Sequence, residues 1–224
     1  MPTPAEKRAT FRKLHAQGCF VIPNPWDVGS ARYLQGLGFK ALATTSAGFA
    51  FTQGLPDGAV SRAMMLAHFR EIVAATDVPV NADFEGGFAD APEGVADSVK
   101  LCIDTGVADL DETVRRLKAF AAAGADCLYA PGIKTREQIA AVVKAVAPKP
   151  VNFLMASATE LTVNDLASLG VRRISLGGTL ARVGWTAVIR AARDIAAAGK
   201  FDSLAGTVAN AELNGFFRDD MKKR

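Results

Sequence analysis

Two acidic residues, Asp83 and Glu85, directly follow a short apolar run and lie in a segment that continues through Gly86 and Gly87. Carboxylate oxygens are ligands that Mg²⁺ and Mn²⁺ prefer in proteins. Asp57 lies in a neighbouring polar loop and adds a third carboxylate to the candidate set. These residues predict a divalent-metal site. In the competing interpretation Asp83 caps a turn and Glu85 is solvated.

Two further segments combine small residues with polar groups. Ser46, Ala47 and Gly48 offer a hydroxyl and closely spaced backbone N–H groups, which suit an oxyanion or a carboxylate. Gly177 and Gly178 could bind phosphate, because loops after late barrel strands often do so. Each segment also has a structural interpretation, which is an ordinary turn for the first and tight strand-to-helix packing for the second.

These candidate residues follow apolar runs that recur along the chain. A helical stretch often ends in glycine, which supplies a left-handed cap, and a β-rich run starts a few positions later. This alternation predicts a parallel α/β fold. The predicted strands lie near residues 20, 42, 80, 108, 128, 152 and 175. The predicted helices are Ser61–Ala75, Pro92–Ile103, Asp111–Ala123, Arg136–Val146, Val163–Leu169 and Trp185–Ala198.

The number of strands is one short of a closed (β/α)₈ barrel, and 224 residues are slightly few for a fold that typically takes about 250. The weak point is Val107–Leu110, a strand candidate that runs into the helix cap Asp111 without a loop. Either this strand is degenerate, or the sequence lacks roughly one βα unit of about 30 residues or more at Ala108/Asp109. We predict the missing segment. A large Cα separation near 107–111 would support it, and an ordinary peptide bond in a seven-stranded or distorted barrel would refute it.

The composition excludes several classes of protein. A net charge of +3 is too small to indicate nucleic acid, and no apolar stretch approaches the roughly 20 residues of a membrane span. We expect no signal peptide, and the three cysteines form no CxxC pair, so reduced thiols in a cytoplasmic protein are expected. Without a linker, residues 1–224 are predicted to be one domain. His15 and His68 lie within helical stretches and are expected to be structural.

The segments at the strand ends, in this order, resemble the isocitrate lyase/phosphoenolpyruvate mutase superfamily. The segments that carry the resemblance are Asn24–Asp27, Thr45–Gly48, Gly54–Asp57, Asn81–Gly87 and Arg172–Gly178. Each segment alone carries only a weak resemblance, whereas the order and positions of the segments together are fairly specific to this superfamily.

The resemblance implies a (β/α)₈ barrel with a C-terminal helix exchanged between the subunits of a homo-tetramer or homo-dimer. It implies Mg²⁺-dependent cleavage or formation of a C–C or P–C bond next to a 2-oxo acid through an enolate. Asp83 matches the acidic metal-site position and Asp57 the loop carboxylate near metal and substrate. Ser46, Ala47 and Gly48 match the loop that holds the substrate carboxylate and enolate oxygen.

The sequence also departs from the family pattern. Asn81 takes the place of the first metal carboxylate, and we infer that Glu85 compensates for it. The family's acidic residue at the end of the fourth strand, its mobile gating loop and the arginine that ends the fifth strand are not found. These missing parts all fall where the chain runs through Val107–Asp111. The general acid or base is therefore expected in the missing segment.

Three interpretations remain open. The first is a Mg²⁺-dependent lyase or mutase-like enzyme that acts on a small 2-oxo acid or a related carboxylate or phosphonate. In it, Asp57 is the catalytic residue, which orients metal water or the reacting groups, and Asp83 and Glu85 hold the metal. The second is a non-catalytic barrel that binds a metabolite, and it gains weight if the chain is complete as it stands. The third is a phosphate-binding barrel enzyme of another family, which depends on Gly177 and Gly178.

Overall fold

The structure is a computed structural model, and it describes residues 2–83, 117, 118, 120–122 and 124–223. Several predictions lie outside these residues. They are the strand near 108, the helix Pro92–Ile103, most of the helix Asp111–Ala123, the carboxylate of Glu85 and the chain joint at 107–111.

Helices make up most of the described residues. Those with both ends described are α1 (Pro4–Ala16), α2 (Val28–Gly36), α3 (Ser46–Thr52), α4 (Arg62–Ala75), α5 (Arg136–Val146), α6 (Val163–Ser168), α7 (Thr179–Ala198) and α8 (Asn210–Lys222). A 3₁₀-helix, Asp202–Leu204, joins α7 to α8. Among the described residues, no helix is both long enough and apolar enough to cross a membrane.

Side-chain caps explain where many of these helices begin. A serine, threonine or aspartate precedes the helix, and its side-chain oxygen accepts a hydrogen bond from a backbone N–H in the first turn. The capping residues are Thr3, Asp27, Thr45, Ser61, Thr135 and Thr162. The predicted cap Ser61 and the predicted helix Arg136–Val146 are confirmed. By contrast, α3 was not predicted, and α7 begins at Thr179 rather than at Trp185.

Six short strands form the described part of the sheet. They are β1 (Phe20–Ile22), β2 (Leu42–Ala43), β3 (Val80–Asn81), β4 (Leu128–Tyr129), β5 (Val151–Leu154) and β6 (Arg173–Ser175). All neighbouring pairs are parallel, in the orders β1-β6-β5-β4 and β2-β3. The Ala43 N–H donates to the Pro23 carbonyl at 3.0 Å and connects the two sheets. The strands therefore follow the order β3-β2-β1-β6-β5-β4, and residues 84–116 separate the outer strands β3 and β4 in sequence.

Apolar clusters pack the helices against the outside of this curved sheet. The largest cluster joins β4, β5 and β6 to α5 and α6, with Ile139, Val151, Leu166 and Ile174 almost fully buried. A second joins α2, β2 and α4 around Leu42. This packing of helices against the strands holds the strand ends in a fixed arrangement. This arrangement positions the candidate site.

Candidate functional site

Ser46, the first residue of α3, contacts both described carboxylates of the predicted metal and substrate site. Its backbone N–H donates to Asp83 Oδ2 at 3.0 Å, and its hydroxyl donates to Asp57 Oδ1 at 3.3 Å. Ser46 is buried, Asp83 half-buried and Asp57 exposed. The structure thus brings together residues that are 37 and 11 positions apart in the sequence. Two carboxylates therefore lie next to the first turn of α3, at the carboxyl ends of the strands.

The first turn of α3 contains the other two predicted substrate-binding residues. The Gly48 N–H donates to the hydroxyl of Thr45, which caps the helix, at 3.2 Å. The Ser46 N–H bonds to Asp83. Within the described residues, the Ala47 N–H has no acceptor. This N–H is a candidate donor to a bound ligand.

Gly48 is packed so closely that a side chain does not fit. A Cβ at this position would lie 2.6 Å from Thr45 Cγ2, 3.0 Å from Trp26 Cβ and 3.2 Å from Ala181 Cβ. Trp26 follows β1 and Ala181 belongs to α7. The glycine thus lets α3 approach two other elements at the carboxyl end of the sheet.

Two buried polar side chains, Asn24 and Thr44, connect the strand ends behind the site. Asn24 Nδ2 donates to the Thr44 carbonyl at 2.8 Å, and Thr44 Oγ1 accepts the Asp83 N–H at 2.7 Å. Neither residue was among the predicted site residues. Each directly follows a strand or its extension, so the rule that selected Asp83 could have found them, although their partners are visible only in the folded chain.

The glycine segment after β6 bonds mainly within the chain. The N–H groups of Leu176 and Gly177 both donate to Asn24 Oδ1 at 3.0 Å, and the Thr179 N–H donates to the Leu176 carbonyl at 3.2 Å. These donors are therefore occupied. For Gly177, this arrangement favours the structural interpretation over a phosphate site.

His68 lies under α3. It is 2% exposed, and its ring stacks on Phe49 with a centroid distance of 4.0 Å. Burial lowers the pKa of His68, while the carboxylates of Glu71 and Asp27 act in the opposite direction. The side chain is neutral near pH 7 and supports α3, in keeping with the structural role expected for it.

The described cysteines are poor nucleophiles. Cys19 and Cys127 are free thiols, and burial raises the pKa of both. A thiol with a raised pKa carries little thiolate at neutral pH. Both residues are packing residues, as expected for reduced thiols.

The donor set fits Mg²⁺ in the way that this ion usually binds. Mg²⁺ keeps several waters and takes one or two carboxylates plus oxygen atoms of the substrate. Asp83 and Asp57 supply two carboxylates that face the same serine. In the part of the chain that the structure describes, there is no group of three or more His, Cys, Asp or Glu side chains that could hold a metal.

Most of the chain matches a protein-family model. The model of the phosphoenolpyruvate phosphomutase family matches residues 11–110 and 107–196. The chain belongs to this family. The two matches meet at residues 107–110, which is the joint where the sequence predicts a missing segment. The missing segment itself stays a prediction.

Full-length relatives support the family and the fold. An uncharacterised protein of Mycobacterium tuberculosis strain H37Rv is 30% identical over 250 aligned positions, covering 91% of this chain and 94% of the relative. Since 91% of 224 residues is about 204, about 46 aligned positions have no counterpart in this chain.

Solved structures of other proteins are similar to this chain in fold. A presumed lyase/mutase from Burkholderia cenocepacia J2315 has a TM-score of 0.87 and 38% identity, covering 96% of this chain and 97% of that one. A phosphonopyruvate hydrolase in complex with oxalate and Mg²⁺ has a TM-score of 0.74 and 20% identity, covering 97% and 98%. The predicted α/β barrel class and the predicted superfamily are confirmed.

Proposed function

We propose that this protein is a Mg²⁺-dependent lyase or mutase-type enzyme that makes or breaks a C–C or P–C bond next to a 2-oxo acid through an enolate intermediate. Membership of the phosphoenolpyruvate phosphomutase family supports the reaction class. The observation that carries the proposal is the convergence of Asp57 and Asp83 on Ser46.

The chain's own groups divide the work at this site. Asp83 and Glu85 would hold the metal, and Asp57, as the catalytic carboxylate, would orient the reacting groups. Bound Mg²⁺ would supply stabilisation of the negative charge that develops on the enolate oxygen. The first turn of α3 orients the substrate carboxylate, and the Ala47 N–H is its available donor. The packing around Gly48 fixes this turn against the sheet.

The substrate class follows from the donors and from the family. A small dianion with carboxylate oxygens fits a hydrated metal beside a backbone N–H. The structural neighbour phosphonopyruvate hydrolase was solved with oxalate and Mg²⁺, and this supports a 2-oxo acid or a related carboxylate or phosphonate here. Several reactions remain within the proposal: phosphonopyruvate and carboxyphosphonoenolpyruvate chemistry, cleavage of (2-methyl)isocitrate, and decarboxylation of oxaloacetate.

A substrate panel tests the proposal directly. The purified chain with Mg²⁺ is incubated with 2-oxo acids, 2-hydroxy tricarboxylates and phosphonates, and release of pyruvate, glyoxylate or oxalate is measured. Asp83→Asn should lower Mg²⁺-dependent turnover and Mn²⁺ affinity by at least about tenfold, the scale of a disturbed metal site.

Asp165→Asn is the matched control. Asp165 also accepts hydrogen bonds, from Thr162 and from Arg136, but it lies on α6. This variant should retain both turnover and Mn²⁺ affinity. Unchanged Mn²⁺ affinity in Asp83→Asn would show that the metal is held elsewhere.

A second function is a barrel that binds a metabolite without turning it over. The two-part family match at residues 107–110 favours it, because the groups expected in the missing segment include the general acid or base. Saturable, Mg²⁺-dependent binding of oxalate without product from any substrate of the panel would favour this function over the enzyme.

The proposal includes a homo-oligomer, a dimer or a tetramer, in the cytoplasm, without nucleic acid or membrane as a partner. Large apolar side chains on α7 are exposed, among them Val183, Val188 and Ile189. Contiguous exposed apolar surface often marks a protein–protein contact. Light scattering on the purified chain measures the state, and a monomer at micromolar concentration would remove this part of the proposal.

A further inference from the structure

Asn24 connects three strand ends through one side chain. Its Nδ2 donates to the Thr44 carbonyl at 2.8 Å, and its Oδ1 accepts the N–H groups of Leu176 and Gly177, each at 3.0 Å. Asn24 is 5% exposed. A carboxamide carries a donor and an acceptor on one terminal group, so few other side chains could satisfy all three backbone groups. The end of β2 is thus tied to the segment after β6 across β1.

Thr44 continues this connection to the candidate site. It is fully buried, its carbonyl receives Asn24, and its hydroxyl oxygen accepts the Asp83 N–H at 2.7 Å. Asp83 in turn accepts the Ser46 N–H. Two of the contacts of Asp83 are therefore made to this part of the chain, one from its backbone to Thr44 and one from its carboxylate to Ser46.

The hydrogen bond between Thr44 and Asp83 lies just beyond the end of β3. Residues 82 and 83 lie beyond β3, which ends at Asn81. The hydrogen bond to Thr44 Oγ1 keeps the Asp83 backbone aligned with β2 beyond the last strand pair. Without it, the half-buried Asp83 N–H would lose this acceptor, and we expect the carboxylate to move away from Ser46.

We propose that Thr44 and Asn24 are positioning residues that hold Asp83 against Ser46, and so set the geometry of the metal and substrate site. This inference rests on the proposed function for its catalytic meaning. The underlying claim about geometry concerns the ligand-free chain, so it is measurable whether or not the chain turns over a substrate.

Substitutions at Thr44 separate positioning from packing. Thr44→Val keeps the shape and removes the acceptor, whereas Thr44→Ser keeps the hydroxyl and removes a methyl group. The matched control is Thr76→Val, because Thr76 is equally buried and its hydroxyl donates to the Ile72 carbonyl at the end of α4. The readouts are backbone amide exchange at Asp83 and Ser46 in the ligand-free protein, and Mn²⁺ affinity.

In Thr44→Val, amide exchange at Asp83 and Ser46 should be about tenfold faster, and Mn²⁺ affinity about tenfold weaker, as expected for a lost buried hydrogen bond. Thr44→Ser should restore both to within about twofold of the wild type, and Thr76→Val should leave both unchanged while lowering stability. Equal effects of Thr44→Val and Thr76→Val would overturn the proposal, since Thr44 would then act only through stability.

A second variant keeps the test decisive if Thr44→Val does not fold. Asn24→Asp retains the acceptor for Leu176 and Gly177 but places an oxygen opposite the Thr44 carbonyl. Exchange at Asp83 should rise while exchange at Gly177 stays slow, and unchanged exchange at Asp83 would contradict the proposal. If wild-type protein binds no Mn²⁺, the metal assignment fails, whereas the exchange measurements still decide the positioning roles.

Discussion

His68 is buried against α3, so its protonation state affects the stability of the fold. The ring is stacked on Phe49 of α3, and Nε2 has no hydrogen-bond partner among the described residues. A protonated ring would place an uncompensated charge in this position, which explains why burial lowers its pKa. In the unfolded chain the ring is exposed and binds a proton near pH 6.5.

We predict that His68→Phe reduces the loss of stability in mild acid. As the pH falls through about 6.5, the unfolded wild-type chain gains a proton that the folded chain does not, so the free energy of unfolding decreases. Phenylalanine keeps the stack on Phe49 and cannot titrate. Urea unfolding from about pH 7.5 to 5.5 should therefore show a flatter profile for the variant.

His15 is the control for this measurement. Burial also lowers the pKa of His15, so its own contribution should persist in His68→Phe and give a residual slope. A profile for His68→Phe as steep as that of the wild type would show that His68 titrates alike in both states.

The sequence indicated Asp57, Asp83 and Ser46 as site residues, because polar residues that follow buried strands meet at one edge of a parallel sheet. It placed Asn24 and Thr44 at strand ends but did not indicate their hydrogen-bond partners. Their roles depend on which backbone groups lie within about 3 Å after folding, and local pattern carries no such information. Glu85 lies outside the described residues, so its role stays a prediction.

Among the elements, α3 determines how the site is built. It begins directly after β2 and is held between Trp26, α7 and the ring of His68. Sequence patterns predicted α4 and α5 because each has a side-chain cap and a long apolar face. They did not predict α3, which has seven residues and contains Gly48 next to aromatic residues. Its conformation comes from packing rather than from propensity.

Gly48→Ala should therefore be destabilising although alanine favours helices. Its Cβ would lie 2.6 Å from Thr45 Cγ2 and 3.0 Å from Trp26 Cβ, so α3 must shift. We expect a loss of about 1–3 kcal/mol in the free energy of unfolding, the usual cost of overpacking. Chemical denaturation measures this loss, and Mn²⁺ affinity should fall with it because Ser46 moves together with the helix.

Gly184→Ala is the matched control on α7. No described atom lies within 4 Å of a Cβ at this position. Alanine should then stabilise the helix by up to about 1 kcal/mol, its intrinsic advantage over glycine. If Gly48→Ala behaved like Gly184→Ala, the close packing around α3 would be incorrect.

In the part of the chain that the structure describes, the strands form a parallel sheet. Its outer strands, β3 and β4, flank residues 84–116 in sequence. The family model matches on both sides of residues 107–110, and about 46 positions of an alignment of 250 lack a counterpart here, since 91% of 224 residues is about 204. A closed barrel requires eight strands. We propose that the absent length would complete the barrel and supply the expected general acid or base.

Restoring this length should raise activity. We predict that inserting the corresponding segment of the Mycobacterium tuberculosis relative between Ala108 and Asp109 increases turnover of the best panel substrate by about 100-fold or more, the usual contribution of general acid–base catalysis. Turnover and the thermal midpoint are measured together, because closing the sheet should also stabilise the chain.

A glycine–serine insert of equal length is the control, since it adds the residues without strands or acid–base groups. It should change neither turnover nor the thermal midpoint upward. If the relative's segment stabilised the chain without raising turnover, the barrel would be complete but the acid–base group would lie elsewhere. If it did neither, the chain would function without that segment, and the metabolite-binding barrel would become the better account of this protein.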